Sequence, residues 1–229
     1  MALGRRLPLA LLLLLVLALT ACGGGKKQAA TTTAAREQTT TDAAGCRSVT
    51  PPTGKARTES KPTKPLDQAK AYEVQLATNC GTFTIRLAVK TSPATTASFA
   101  SLVQKGYFDG TVFHRIVPGF VIQGGDPTGT GSGGPGYSTV DVPPSATRYT
   151  TGVVAMAKTG AESPGTSGSQ FFVVTAPDAG LPPEYAVLGT IEKGQAVVDK
   201  VGQLGDPASG GEGIPTETVV IEKATLIVR

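Results

Sequence analysis

A mainly β fold, a closed antiparallel sheet with two helices, is predicted by three observations on this chain. Short runs of alternating apolar and polar residues recur after residue 70, and Gly and Pro punctuate them, 29 and 17 times in 229 residues. Only two segments carry helix signals.

The elements follow in order. Tyr72 to Leu76 and Phe83 to Leu87 both alternate, and Asn79-Cys80-Gly81 between them supplies turn chemistry, so the pair reads as a hairpin. Ser92 before Pro93 is a helix start. Phe99, Leu102 and Val103 share one face and Gly106 stands at the end, which predicts a helix over Pro93 to Lys105. Strands are expected at Val112 to Val117, Phe120 to Gln123, Val153 to Ala157, Phe171 to Thr175, Val187 to Ile191 and Val219 to Val228. A second short helix is expected at Gln195 to Val201.

Composition excludes several functions. One His and three Cys make at most one set of three or four ligands, and Cys22, in the N-terminal targeting segment, would have to join it, so a zinc or iron-sulfur centre is not expected. The formal net charge of +4 is carried outside the folded part. Residues 22–67 hold eight basic and four acidic side chains, whereas residues 68–229 hold 11 basic and 13 acidic. No basic cluster for nucleic acid is present on the domain.

Arg5 and Arg6 precede an apolar run from Leu7 to Leu19, too short to span a bilayer but suited to a secretory signal. Leu19-Thr20-Ala21-Cys22 resembles the lipobox of bacterial lipoproteins. That resemblance implies a signal peptide over 1–21, acylation (diacylglyceryl, palmitate) at Cys22, and an extracytoplasmic, membrane-anchored protein. From Gly23 to about Asp67 large apolar side chains are nearly absent, so 22–68 is expected to be a disordered tether and 69–229 the folded domain. With Cys22 lipidated, Cys46 and Cys80 remain as a pair outside the reducing cytosol, so a disulfide between them is the expectation, with two free thiols as the alternative.

Two motif-like stretches fail on context. Gly129 to Gly134 spells GxGxxG, but Pro135-Gly136 follows where a helix must begin. Gly165-Thr166-Ser167-Gly168-Ser169 lacks the last Gly of a nucleophile elbow. The informative block runs from Phe113 to Gly134. In a strand Phe113 and Arg115 share a face, Pro118-Gly119 turns the chain, and Phe120, Val121 and Gln123 follow at once.

Here the sequence resembles the cyclophilin-type peptidyl-prolyl cis/trans isomerases. The resemblance is carried by Phe113-His114-Arg115, Pro118-Gly119-Phe120, Ile122-Gln123-Gly124-Gly125-Asp126 and Gly168-Ser169-Gln170-Phe171-Phe172, with Met156-Ala157 and Tyr185 to Gly189 in family order. It extends from about Tyr72 to the C-terminus. It implies a closed eight-stranded antiparallel β-barrel capped by two α-helices, and isomerisation of X-Pro bonds without cofactor or metal. It implies Arg115, Gln123 and Phe120 as the catalytic group. Val121, Phe172 and Leu181 would receive the proline ring with Phe120, Ala157 and Tyr185 would line its edge, and Gly168, Ser169 and Gln170 would contact residues before the proline. His114 reads as packed rather than catalytic.

The departures are Val121 where many members carry Met, Tyr185 where His is frequent, Lys158 where Asn is common, and Gly180 in place of the Trp that supports cyclosporin binding. These leave the arginine chemistry intact and argue against tight cyclosporin binding. The expected partners are proline-containing segments of exported proteins, and the membrane through Cys22; a monomer is expected. The alternatives are a proline-peptide binding or chaperone module without turnover, and a structural envelope lipoprotein.

Overall fold

The computed structural model describes residue 41 and residues 45–229. The expected signal peptide and Cys22 lie outside the described residues. No helix among the described residues is long and apolar enough to cross a membrane.

Among the described residues, eleven strands and two α-helices form in the order β1 Tyr72–Thr78, β2 Gly81–Leu87, α1 Pro93–Gln104, β3 Thr111–Val112, β4 Arg115–Val117, β5 Val121–Gly124, β6 Thr139–Val140, β7 Val153–Met156, β8 Thr166–Ser167, β9 Phe171–Val174, β10 Val187–Lys193, α2 Gln195–Gly202 and β11 Val220–Val228. A short 3-10 helix, Pro207–Glu212, precedes β11. Nine strands make one curled antiparallel sheet, β3-β11-β1-β2-β10-β7-β9-β5-β4, and β6 pairs with β8 apart from it. This corrects the closed eight-stranded barrel. The run expected as one strand, Val112 to Val117, is broken at Phe113-His114: β3 pairs with β11, while β4 pairs with β5. The two edge strands of the sheet are therefore consecutive in the chain and are not hydrogen-bonded to each other as strands.

The curl encloses Phe83, Phe99, Phe108, Phe113 and Phe171. Phe171 meets Phe99, Phe108 and Phe113 edge to face with centroids 5.5 to 6.1 Å apart, the arrangement that aromatic quadrupoles favour. Helix α1 packs Phe99, Leu102 and Val103 into this core. Ser92 does not cap it with its side chain. The Asp141 carboxylate does so instead, accepting the Thr95 N–H at 2.6 Å.

Strand alternation divides β5, β7 and β9 between two apolar clusters. Ile122, Val154, Met156, Phe171 and Val173 face the main core. Val121, Ala155, Phe172 and Val174 face outward, where they join Tyr149 and Ala176 in a second cluster.

Of the expected tether, the structure describes residue 41 and residues 45–68. Residues 45–68 contain no helix or strand, yet they lie along the domain. Cys46 and Cys80 form a disulfide, and both are buried. Arg47 N–H donates to the Asn79 carbonyl at 2.9 Å, the Arg57 guanidinium donates to the Tyr107 and Asp109 carbonyls, and Leu66 packs against the main core. Backbone hydrogen bonds and one covalent link fix this segment without an apolar run, which is why its composition reads as unstructured.

Candidate active site

Register aligns the site. Arg115 on β4 is opposite Gln123 on β5, Gln123 is opposite Phe172 on β9, and Phe172 is opposite Ala155 on β7. Residues in one transverse row of an antiparallel sheet point to the same face, so this row presents a cation, an amide and an aromatic ring together on the outer face of the curl.

Over it lies a cavity of about 310 Å³. Arg115, Phe120, Val121 and Gln123 line it together with Ala157, Phe172, Leu181 and Tyr185. The structure thus brings these eight sequence-predicted residues together. Phe172 meets Tyr185 edge to face at 5.5 Å, which gives the cavity a rigid aromatic corner.

Arg115 is oriented by neutral groups. Its Nε and Nη2 donate to the Gly211 carbonyl at 3.0 and 2.8 Å, and Nη1 reaches the Gln123 amide oxygen at 3.4 Å. The guanidinium carbon lies 6.0 Å from the centre of the Phe120 ring. No ion pair to Arg115 exists among the described residues. Burial lowers its pKa, but a guanidinium begins so high that it stays cationic at neutral pH. The result is an uncompensated, partly desolvated positive charge at the mouth of an apolar hollow.

The amides continue the line. Gln123 Nε2 donates to the Gln170 side-chain oxygen at 3.1 Å, and Gln170 Nε2 donates to the Gly131 and Gly133 carbonyls at 2.8 and 2.9 Å. These contacts lead into a second cavity of about 450 Å³, walled by residues 131–138 and by Gly168 and Gln170. The two cavities share Gln123, Ala157 and Lys158. A peptide with one ring in the first can therefore extend through the second.

Ser169 lies between the other two rim residues but turns its side chain away from the rim. It borders the second cavity but is fully buried, and its hydroxyl donates to the Gly125 carbonyl at 2.7 Å and contacts the Tyr107 hydroxyl at 3.3 Å. Its side chain serves the interior, because alternation places Ser169 with Phe171, whereas Gly168 and Gln170 fall with Phe172. The same packing requires glycine at 125: a Cβ there would lie 2.5 Å from the Ser169 carbonyl oxygen, and φ is +85°.

Sequence reasoning missed three contributors. Lys158 had stood out only as a departure; it lines both cavities, pairs with Glu184 at 3.2 Å and sits 5.5 Å from the Tyr185 ring centre. Gly211, whose carbonyl holds Arg115, and Tyr149, which holds Tyr185, carry no signal in a single sequence. The glycine-rich stretch rejected as a phosphate loop is the wall of the second cavity. Its carboxylate anchor, Asp126, is fully buried and accepts N–H donors from Thr128, Thr130, Gly131 and Gly133 at 2.7 to 3.1 Å. Burial opposes ionisation of Asp126, but the bonds from Thr128, Gly133 and Gly131 outweigh it and hold the carboxyl below its usual pKa.

His114 sits beside this wall with both ring nitrogens buried and, among the described residues, without a partner in hydrogen-bond geometry. A Cβ at Gly131 would lie 3.7 Å from the imidazole. Burial first, and Arg115 further, lower the His114 pKa, while Asp126 and a backbone contact to Val112 partly offset them.

Comparison with known proteins agrees with this geometry. The family model described as cyclophilin type peptidyl-prolyl cis-trans isomerase/CLD matches residues 73–226. A peptidyl-prolyl cis-trans isomerase-like 1 of Neurospora crassa is 40% identical over 161 residues, covering 69% of this chain and 95% of that protein. A probable peptidyl-prolyl cis-trans isomerase B of Mycobacterium tuberculosis is 37% identical over 191 residues, covering 76% of this chain and 59% of the relative. Among solved structures, a Cryptosporidium parvum cyclophilin type isomerase determined in the presence of the dipeptide Ala-Pro superposes with a TM-score of 0.60 at 30% identity, over 68% of this chain and 98% of that one.

Proposed function

The chain belongs to the cyclophilin-type peptidyl-prolyl cis-trans isomerase family and is an isomerase, and from that premise we propose that Arg115 drives X-Pro rotation in segments of exported proteins. The observation that carries this reading is the Arg115 guanidinium, free of any carboxylate partner among the described residues, at the rim of the Phe120, Val121, Phe172 and Leu181 hollow.

Rotation about an X-Pro bond breaks amide resonance, with a barrier of about 18 to 20 kcal/mol. In the twisted state the proline nitrogen becomes pyramidal and regains a lone pair. A fixed N–H donor aimed at it then binds the transition state better than either planar isomer. Arg115 supplies the donor. Phe120, Val121, Phe172 and Leu181 hold the ring still while the preceding carbonyl swings, and Gln123 orients the backbone before the proline. Gly168 and Gln170 edge the second cavity, which receives the residues before the proline.

Raising a rate by four to five decades needs roughly 5 to 7 kcal/mol. One charge-assisted hydrogen bond is worth about 1.5 to 3 kcal/mol. Desolvation of the guanidinium and immobilisation of the ring supply the remainder. Exchange spectroscopy on an Ala-Pro peptide tests the reading: binding without acceleration would make the protein a holding module instead.

The proposed setting is extracytoplasmic, with the chain anchored by acyl groups on Cys22. The basic and apolar pattern of residues 5–22 supports it, and the Cys46–Cys80 disulfide is of the kind that persists in oxidising compartments. Metabolic labelling with palmitate, lost in Cys22→Ala, tests the anchor.

A further inference from the structure

We propose that residues 54–59 act as a positioning brace for the cavity that takes the residues before the proline. This inference rests on the isomerase reading above. The segment lies outside the matched family region, which begins at residue 73. It runs along the back of the glycine-rich wall and is stitched to both ends of it: Lys55 N–H donates to the Pro127 carbonyl at 2.8 Å, and Glu59 N–H donates to the Pro135 carbonyl at 2.9 Å.

Beside each of these bonds the approach is close. A Cβ at Gly54 would lie 2.1 Å from the Thr128 carbonyl oxygen, and one at Gly136 would lie 2.9 Å from the Thr58 methyl. The brace is itself fixed to the body of the domain. Arg57 donates to the Tyr107 and Asp109 carbonyls, Glu59 pairs with Lys105 at 2.8 Å, and the Cys46–Cys80 disulfide ties the chain eight residues before Gly54.

The opposite side of the wall faces substrate. Gly131 and Gly133 offer their carbonyls to Gln170, whose own oxygen receives the Gln123 amide, which in turn contacts Arg115. A contiguous line of backbone and amide contacts therefore runs from brace to wall to second cavity. Displacing the brace shifts residues 131–138 before it disturbs the ring cavity, whose lining includes none of them. The brace thus sets affinity for residues ahead of the proline and leaves the rotation step alone.

The test uses the full chain and two probes: a capped Ala-Pro peptide, and a peptide with three further residues before the Ala. Gly54→Ala forces brace and wall apart. It is expected to raise KM for the longer peptide by roughly twofold to thirtyfold, the span of coupling through packed networks, with kcat unchanged and the short peptide unaffected. A Cys46→Ser, Cys80→Ser double variant, which frees the brace at its origin, is expected to show the same selectivity and decides the question if Gly54→Ala does not fold. Any other pattern from a folded variant, including equal effects on both peptides or none on either, overturns the inference. An inactive wild-type chain would instead overturn the isomerase reading on which it rests.

Discussion

The Tyr149 hydroxyl holds both backbone groups of Tyr185: it donates to the Tyr185 carbonyl at 2.7 Å and accepts the Tyr185 N–H at 2.9 Å. Tyr149 is fully buried, and burial pushes its phenol above the usual pKa, so the donor proton is present at neutral pH. One side chain thereby fixes the edge of the proline cavity from beneath. Tyr149→Phe leaves two backbone groups without this partner and should cost about 1 to 3 kcal/mol of stability, read as a lower denaturant midpoint, together with a higher KM. An unchanged KM would mean that Tyr185 keeps its place without the hydroxyl.

Removing the guanidinium tests the chemistry directly. Arg115→Ala should lower kcat/KM by roughly tenfold to 150-fold, the equivalent of a charge-assisted hydrogen bond of about 1.5 to 3 kcal/mol. Arg115→Lys keeps the charge but loses the planar fork that grips Gly211 and reaches Gln123, so it should fall between Ala and wild type. Equal exchange rates in wild type and Arg115→Ala would remove Arg115 from the mechanism.

His114 gives the protein a pH signature separate from catalysis. Its folded pKa lies below the ordinary value of about 6.5 because burial disfavours the imidazolium. Below about pH 6.5 the unfolded chain takes up a proton that the folded chain resists. The contribution is therefore complete above that pH and is lost as pH falls through the lowered folded value. Thermal scans from pH 7.5 to 5 should show this loss, and His114→Gln should flatten it. The isomerisation rate, which rests on Arg115, should not follow the imidazole titration.

Local pattern made much of this architecture legible. The β1–β2 hairpin and α1 were readable because alternation, turn residues and a Pro at the helix start act within a few residues of each other. Counting along one strand puts Arg115 on the face of Phe113, but the break at Phe113-His114 sends Phe113 into the core and Arg115 to the outer cavity. The ladder register, not the count, sets Arg115, Gln123 and Phe172 in one row. Elsewhere the deciding interactions are remote. The Phe113-His114 break is set by two different partner strands, β11 and β5, and a two-residue ladder such as β6–β8 has no periodicity to detect. Residues 45–68 read as a tether because backbone bonds to distant carbonyls leave no trace in composition. Ser169 falls with Phe171 in the alternation of this stretch, which turns its hydroxyl inward to the Gly125 carbonyl.

The disulfide offers a final measurable consequence. Its partners are 34 residues apart, and closing a loop of that length in the unfolded chain is worth roughly 3 to 4 kcal/mol in the chain-entropy account. Reduction by a dithiol should lower the denaturant midpoint accordingly. It should also steepen the transition, because the unlinked unfolded chain exposes more surface. Cys46 is 0% exposed and Cys80 4%, so attack on either sulfur requires residues near Cys46 to lift from the domain first. Reduction of the native protein should therefore be slow and become independent of dithiol concentration at high dithiol, where opening limits the rate. A rate that stays proportional to dithiol at every concentration, equal to that of an exposed disulfide, would show that residues 45–47 lie open in solution rather than against Asn79.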